Sequence, residues 1–221
     1  AAAAARDAES IAGADRYETA RLVAERFFGT PTFAGLATGE SFADAVALMG
    51  ADADFLVIDT PGRDDPYARE AIVRADTLIT PINDSFVDLD LIGEVDAETY
   101  RVRRPSFYAE LVWNSRTQRA KQTGKSVDWV VLRNRLQHVE SHNLKRVGAA
   151  LDELARRVGF RVIPGLGERV IYRELFPKGL TLLDLQQLGE VGIAHIAARQ
   201  ELREMIAGLG IPSADEVEKA A

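Results

Sequence analysis

The feature that most constrains the fold is an alternation of short, apolar, β-rich runs with longer segments of helical periodicity. A run without polar interruptions is typical of a strand buried on both faces. Because a helix-like stretch follows each run, the strands are predicted to be parallel, with the connecting helices on both faces. We therefore predict an α/β fold with a mostly parallel, Rossmann-like sheet of about five strands. The predicted strands are Phe33–Ala37, Phe55–Ile58, Thr77–Thr80 (ended by Pro81), Trp129–Leu132 and Phe160–Ile163.

Spacing and capping residues predict the helices. Asp64 or Asp65 is expected to cap a helix that has Pro66 in its first turn, and Gly159 is expected to end the long helix that Ser141 begins. The predicted helices are 14–28, 42–49, 66–75, 89–99, 108–119, 141–158, 169–176 and 191–209.

Length and composition narrow the class of protein. The 221 residues favour one α/β domain over 1–221, and residues 1–10 read as a tail or tag. The absence of Cys excludes disulfides and thiolate metal sites, and it fits a reducing cytoplasm. No apolar run reaches the roughly 18 residues that span a bilayer, so we expect no membrane association.

The net charge of −7 conceals an uneven distribution along the chain. Residues 1–100 have a net charge of −13, residues 101–175 of +9, and residues 176–221 of −3. A basic block in an acidic chain predicts that one face binds a polyanion. The alternative is that these arginines form a solvated surface with local acidic partners.

The sharpest motif is the apolar run Phe55–Ile58 followed by Asp59-Thr60-Pro61-Gly62. In nucleotide hydrolases, a Walker B aspartate leaves the end of a buried strand and holds Mg²⁺ directly or through water. Asp59 and Thr60 are the corresponding candidates for catalysis and Asp59 for Mg²⁺, while Gly62 would let its peptide turn toward a terminal phosphate. The alternative is a strand followed by an ordinary turn.

A second candidate is Asn134, which follows the apolar run Trp129–Leu132. Its amide both donates and accepts hydrogen bonds and could therefore bind the edge of an adenine base. Taken alone, this residue is better explained by the alternative, an asparagine that caps a turn.

Several longer blocks contain or extend these motifs: Asp54–Gly62, Thr80–Asp88, Asp128–Leu136, Arg156–Arg161, Arg169–Pro177 and Gly179–Leu185. Over about residues 52–209, these blocks resemble the MipZ family, division-site ATPases of the ParA/MinD type. The resemblance implies a P-loop-derived fold, an ATP-gated dimer with bound Mg²⁺, non-specific DNA binding, association with ParB and inhibition of FtsZ.

The sequence departs from that family at the phosphate-binding loop. No G-x-x-x-x-G-K-[ST] motif occurs in the 221 residues, and Gly124-Lys125-Ser126 reads as a basic loop because no buried strand precedes it. Without a cradle, Asp59 would repel a triphosphate. We therefore expect no cofactor and no ATP binding or hydrolysis. The resemblance implies that the chain is, by lineage, a regulator of division-site placement.

The resemblance to MipZ also implies which residues bind DNA. Arg146 and Arg169 stand at positions that match the DNA-binding surface of the family, whereas His142 and Gly167 stand where its pattern has arginine. We therefore expect weak, non-specific DNA binding through Arg146 and Arg169.

Residues 11–50 resemble part of a type 2 cell-wall-binding repeat, notably Ile11–Ala20 and Leu36–Ala45. Less than one repeat is present, so we expect no binding of cell-wall polymers. Because a segment that resembles a cell-wall-binding repeat directly precedes one that resembles MipZ, we predict a chimera. The alternative is a divergent natural MipZ-like protein. Two further readings of function stay open: an engineered scaffold without a physiological role, and a non-catalytic DNA-binding module.

Overall fold

The computed structural model describes most of the chain from residue 41 onward. The predicted helix 14–28 and, apart from Gly35, the predicted strand Phe33–Ala37 lie outside the described residues. Two compact units divide the chain: a first of residues 1–60, 169–200 and 212–221, and a second of residues 61–168 and 201–211. The described residues are 35, 39, 41–51, 53, 55–62, 64–83, 85–96, 99, 101–136, 142–178, 180–182, 184–187 and 194–211.

In chain order, the elements are α1 (Phe42–Gly50), α2 (Pro66–Arg74), β1 (Thr77–Asn83), α3 (Phe86–Leu89), β2 (Gly93–Val95), β3 (Val102–Pro105), α4 (Phe107–Thr123), β4 (Asp128–Asn134), α5 (His142–Leu154), a π-helical turn (Ala155–Gly159), β5 (Arg161–Ile163), α6 (Val170–Leu175), a 3₁₀ turn (Phe176–Lys178), α7 (Asp184–Gln187) and α8 (Ala194–Leu209). Helix α8 begins in the first unit and ends in the second.

The second unit contains the sheet. Its three parallel strands lie in the order β1-β4-β5, and β2 and β3 form a separate antiparallel pair. The prediction of a parallel α/β sheet is confirmed for these three strands, whereas a sheet of about five parallel strands is not confirmed among the described residues.

The two faces of β4 face two apolar clusters. Trp129 and Val131 belong to a core with residues of α4 and α5, and Val130 and Leu132 pack with Ile163 and with the end of α8. This alternation is the period of two expected of a strand, and here both faces are buried. The sheet of the second unit is therefore covered on both sides, as predicted.

Capping residues explain where the helices of the second unit begin and end. The Asp65 carboxylate accepts a hydrogen bond of 2.9 Å from the Tyr67 N–H at the start of α2, as predicted. The Ser106 hydroxyl caps α4 in the same way, with 3.1 Å to the Ala109 N–H. Gly124 ends α4 with a φ of 74°, which glycine adopts without strain. Gly124-Lys125-Ser126 is thus the end of a helix followed by a loop.

The first unit contains short helices with their own buried side chains. Ser41 caps α1, because its hydroxyl accepts a hydrogen bond from the Asp44 N–H at 3.2 Å. The helix predicted to end at Met49 is thereby confirmed, one residue longer. The buried apolar side chains of this unit are Phe42, Leu175, Leu182, Leu185 and Ala198.

The prediction of a buried strand at Phe55–Ile58 is wrong. These residues form no strand, and the side chains of Phe55 and Val57 are 49% and 73% exposed. An apolar run becomes a strand only when neighbouring strands bind its N–H and C=O groups, and no described residue pairs with this run.

The prediction of a helix over 89–99 is also wrong. Leu89 and Ile92 are fully buried, and their spacing of three imitates one face of a helix. The chain instead turns after α3 and pairs β2 with β3. Gly93 permits this path, because a Cβ atom there would lie 2.3 Å from the Leu154 Cδ2 atom.

Pro81 does not end its strand. Strand β1 runs through it to Asn83, and Pro81 lies opposite Leu132 of β4. Proline lacks an N–H and is tolerated in a strand that lies at the edge of a sheet. Strand β1 has this edge position in the described sheet.

Candidate functional site

Two asparagines lie side by side at the carboxyl edge of the sheet in the second unit. Asn83 ends β1, Asn134 ends β4, and the parallel register makes their Cα atoms direct partners. The Asn83 N–H donates a hydrogen bond of 2.7 Å to the Asp88 carboxylate, which fixes the chain after β1. Within the part of the chain that the structure describes, the side-chain amide groups of the two asparagines form no hydrogen bonds. Both amides can therefore donate to and accept from a ligand.

Backbone hydrogen bonds join the loops that follow β4 and β5. The Leu166 N–H donates to the Arg133 carbonyl at 3.0 Å, and the Leu136 N–H donates to the Leu166 carbonyl at 3.0 Å. Between these bonds, Arg135 has a φ of 55°, a left-handed conformation that is unusual for a residue with a side chain. The side chain of Arg135 is exposed. The paired loops thus hold an arginine at the edge where Asn134 lies.

Further arginines lie around this edge. Arg146 is exposed on α5, and Arg133 extends toward the same helix, where its Nη1 atom would lie 3.7 Å from a Cβ atom at Gly148. The one exposed acid in the loop after β5 is Glu168. We call Arg133, Arg135 and Arg146 the edge arginines.

The candidates of the Asp-Thr-Pro-Gly motif lie outside any strand. Asp59, Thr60 and Gly62 are all exposed, and an added Cβ atom at Gly62 would meet nothing within 4 Å. Asp59 and Thr60 belong to the first unit and Gly62 to the second. The structure therefore does not show Asp59 at the end of a buried strand, the setting on which its proposed role rests.

The two arginines implied in DNA binding belong to different units. Arg146 lies on α5 of the second unit, and Arg169 lies half-buried in the first unit, directly before α6. His138 and Ser141 lie outside the described residues.

Much of the basic block is paired with acids. Arg103 pairs with Asp96, and Arg104 binds Glu94 at 2.7 Å across the β2–β3 pair. The hydrogen bond and charge of Asp96 raise the pKa of Arg103 above its ordinary value. Arg119 pairs with Asp76. These acids come from residues 1–100, so the structure supports the alternative of local partners for this part of the block.

Sequence reasoning found Asn134, Arg146 and Arg169 but missed Asn83, Arg133 and Arg135 as edge residues. Asn83 was missed because Pro81 was taken as the end of β1. The signal for Arg133 and Arg135 was present, since both flank Asn134 directly after an apolar run. What their sequence could not indicate was the left-handed turn that exposes Arg135.

The arrangement suits recognition of a polar or anionic ligand. Amides and guanidinium groups at the edge of the sheet donate hydrogen bonds, and arginine binds phosphate in a bidentate manner. No group of three or more metal-binding side chains lies together among the described residues. In the same residues, no helix has the length and apolarity that crossing a bilayer requires.

The covered parallel sheet, with its ligand-type side chains at the carboxyl edge, defines an α/β protein of the kind that binds ligands beyond the ends of its strands. The family model described as ATPase MipZ matches residues 35–213. This range is more than half of the chain, and the chain therefore belongs to the MipZ family, whose members are ParA/MinD-like regulators of cell division. No curated protein matches the chain significantly.

The matched range begins at residue 35 and thus includes the last two fifths of the segment 11–50 that resembles a cell-wall-binding repeat. The likeness to that repeat and the chimera remain predictions.

Proposed function

We propose that this chain is a regulator of cell division that acts without nucleotide control and binds DNA without sequence preference. The observation that carries the proposal is that Arg146 is exposed on α5 and that Arg135 is exposed where the chain leaves β4, at the carboxyl edge of the sheet. We place its action in the cytoplasm, where both DNA and the division proteins are accessible.

Two features support independence from nucleotide. The 221 residues contain no phosphate-binding loop, and such loops supply most of the backbone N–H groups that hold a triphosphate. Asp59 and Thr60 are exposed on a segment without strand structure, rather than at the end of a buried strand where a Walker B aspartate holds Mg²⁺. Asn134 at the sheet edge could hydrogen-bond a base, but it cannot replace the contacts to phosphate.

The charge distribution supports binding to the DNA backbone. Arg103, Arg104 and Arg119 pair with acids of residues 1–100. These three arginines are therefore not candidates for phosphate contacts. Among the edge arginines, Arg135 and Arg146 are exposed and Arg133 is half-exposed, so their side chains are accessible to a large anionic ligand. Contacts to phosphate carry no sequence information, so binding should be similar for all sequences.

Partners follow from the family rather than from a surface of this chain. Membership in the MipZ family supports interaction with division and chromosome-partitioning proteins. FtsZ and ParB are the partners that we propose.

The test is an anisotropy titration of a labelled DNA duplex at several salt concentrations. We expect binding at low salt that fades near physiological salt. Each phosphate contact contributes about −0.9 to the slope of log affinity against log salt, so Arg146→Ala combined with Arg169→Ala should flatten the slope by about 1.8. The loss should be the same for duplexes of unrelated sequence.

The matched control is Arg69→Ala combined with Arg74→Ala. It removes the same charge from α2, where both arginines form exposed ion pairs with acids of the same region. This control should leave the slope unchanged. No binding at low ionic strength, binding indifferent to salt, or an equal loss in the control would refute the proposal.

A further inference from the structure

A groove of about 610 Å³ opens on the second unit, and none of the edge arginines lines it. It lies between the second half of α4, the loop that follows it and the end of the π-helical turn. The residues that shape it are Trp113, Arg116, Ala120, Lys121, Ser126 and Val158. None of its lining residues is acidic.

Arg116 bridges two walls of the groove. Its Nη1 atom donates to the Gly159 carbonyl at 2.6 Å, and its Nε atom donates to the Ser126 hydroxyl at 3.3 Å. Gly159 has a φ of 83°, and a Cβ atom there would lie 3.4 Å from the Arg116 Nη1 atom. The guanidinium is therefore held in place before any ligand arrives, and the glycine leaves the space beside it open. Such preorganisation reduces the entropic cost of binding.

Trp113 exposes an unusually large apolar surface. Its side chain is 59% exposed, whereas Trp129, the other tryptophan, is 1% exposed in the core. Trp113 lies in the groove with Ala120 and Val158, so its exposure is part of an apolar patch rather than an isolated side chain. Exposed apolar patches that polar residues surround are typical of interaction sites, and tryptophan is the residue most enriched among those that dominate binding energy.

The charged side chains that line the groove are positive. Lys121 lines it and is exposed, and Lys125 and Arg156 are exposed residues close in sequence to the lining residues Ser126 and Val158. No ion pair with a described residue involves these three side chains. A ligand that matches this groove must therefore combine an apolar group with negative charge.

We propose that the groove binds an acidic, amphipathic peptide segment of a partner protein. An apolar side chain of the peptide packs on Trp113, Ala120 and Val158, and flanking carboxylates pair with Arg116 and Lys121. This interaction is independent of the DNA binding proposed above, because it uses none of the edge arginines.

The chemistry favours a peptide over a single-stranded nucleic acid. Nucleic-acid grooves combine stacking side chains with cations that track successive phosphates. Here two cations, Arg116 and Lys121, line the groove, which is too few to follow successive phosphates, and the apolar part of the lining consists of small aliphatic groups beside one indole ring. An aliphatic or aromatic anchor between carboxylates fits that floor better than a base between phosphates.

The experiment uses the full chain and the fluorescein-labelled probe peptide Glu-Asp-Leu-Asp-Glu-Phe-Asp-Glu. The comparison probes are the peptide with every acid replaced by Lys and an oligothymidine of equal length. Binding is measured by anisotropy, and acrylamide quenching of tryptophan is measured in parallel. Because Trp129 is buried, protection from acrylamide reports on Trp113.

We expect the acidic peptide to bind and to protect Trp113, and the Lys peptide to do neither. Trp113→Ala and Lys121→Glu should each weaken binding by about tenfold or more. The matched controls are Phe107→Ala, which truncates a 66% exposed aromatic residue on the same helix, and Arg101→Glu, which reverses an exposed charge outside the groove. Both controls should bind the peptide as the parent chain does.

Three results would overturn the proposal: no binding of the acidic peptide, equal binding by Trp113→Ala and the parent chain, or tighter binding of oligothymidine that Trp113→Ala abolishes. The last result would assign the groove to nucleic acid. Circular dichroism of each variant establishes that it is folded, and Lys121→Glu, an exposed substitution, keeps the test decisive if Trp113→Ala does not fold.

Discussion

Arg119 belongs to the basic block by sequence but to the interior by structure. Its side chain is 9% exposed, and its guanidinium donates to backbone carbonyls at the end of α2, including Ala75 at 2.6 Å. The same group pairs with Asp76. A helix end leaves carbonyl groups without partners, and cations near it are stabilising. Arg119 thus joins α4 to the end of α2.

We expect Arg119→Met to lower the free energy of unfolding by about 1–3 kcal/mol. Methionine preserves most of the apolar packing, but it leaves the carbonyls at the end of α2 without their donor. Urea unfolding measures the change. The matched variant Arg69→Met breaks an ion pair whose side chains are about half exposed, and solvent screens such pairs, so its loss should be much smaller. Equal losses in the two variants would show that Arg119 is not a structural cation.

Single residues of the site were predictable where they follow an apolar run that forms a strand. Asn134 follows such a run, and the structure places it at the end of β4. Asp59 follows a run of the same appearance that forms no strand. The difference lies in pairing with residues distant in sequence, since β4 has neighbours on both sides. A local pattern of apolar residues carries no information about these neighbours.

At the scale of elements, the long and strongly periodic segments were predicted well. Helices α2, α4 and α8 and strand β4 appear with small shifts of their ends. The β2–β3 pair was missed because its strands are short and because burial of Leu89 and Ile92 imitates helical spacing. The close approach of Gly93 to Leu154 depends on tertiary packing, which the local sequence does not encode.

The loops after β4 and β5 depend on one glycine. A Cβ atom at Gly165 would lie 2.2 Å from the Arg133 carbonyl oxygen and 2.9 Å from the Leu136 Cδ1 atom. We expect Gly165→Ala to lower the free energy of unfolding by about 1–3 kcal/mol, because the backbone must shift to relieve the overlap.

The matched control for Gly165→Ala is Gly62→Ala, where an added Cβ atom meets nothing within 4 Å. Its effect should stay within about 0.5 kcal/mol. Thermal or urea unfolding compares the two variants. If Gly165→Ala were as stable as Gly62→Ala, the close packing of the two loops would be contradicted.

At the scale of the whole molecule, the charge asymmetry of the sequence does not translate into one basic face. Acids from residues 1–100 pair with arginines of the basic block on the β2–β3 pair and on α4. Exposed cations of the second unit include Arg135 and Arg146 among the edge arginines and Lys121 in the groove. The net charge of residues 101–175 predicted a binding site for anions. Which of its arginines are accessible to an anion depends on their ion pairs in the folded structure, which the sequence does not show.

We propose that this member of the MipZ family binds DNA without control by nucleotide. The most direct measurement is the affinity of the full chain for a labelled duplex at low salt, with and without MgATP. We predict equal dissociation constants, because the 221 residues contain no phosphate-binding loop and Asp59 lies on an exposed segment without strand structure. A tightening of roughly tenfold by MgATP, equivalent to about 1.4 kcal/mol, that Asp59→Ala abolishes would contradict the claim.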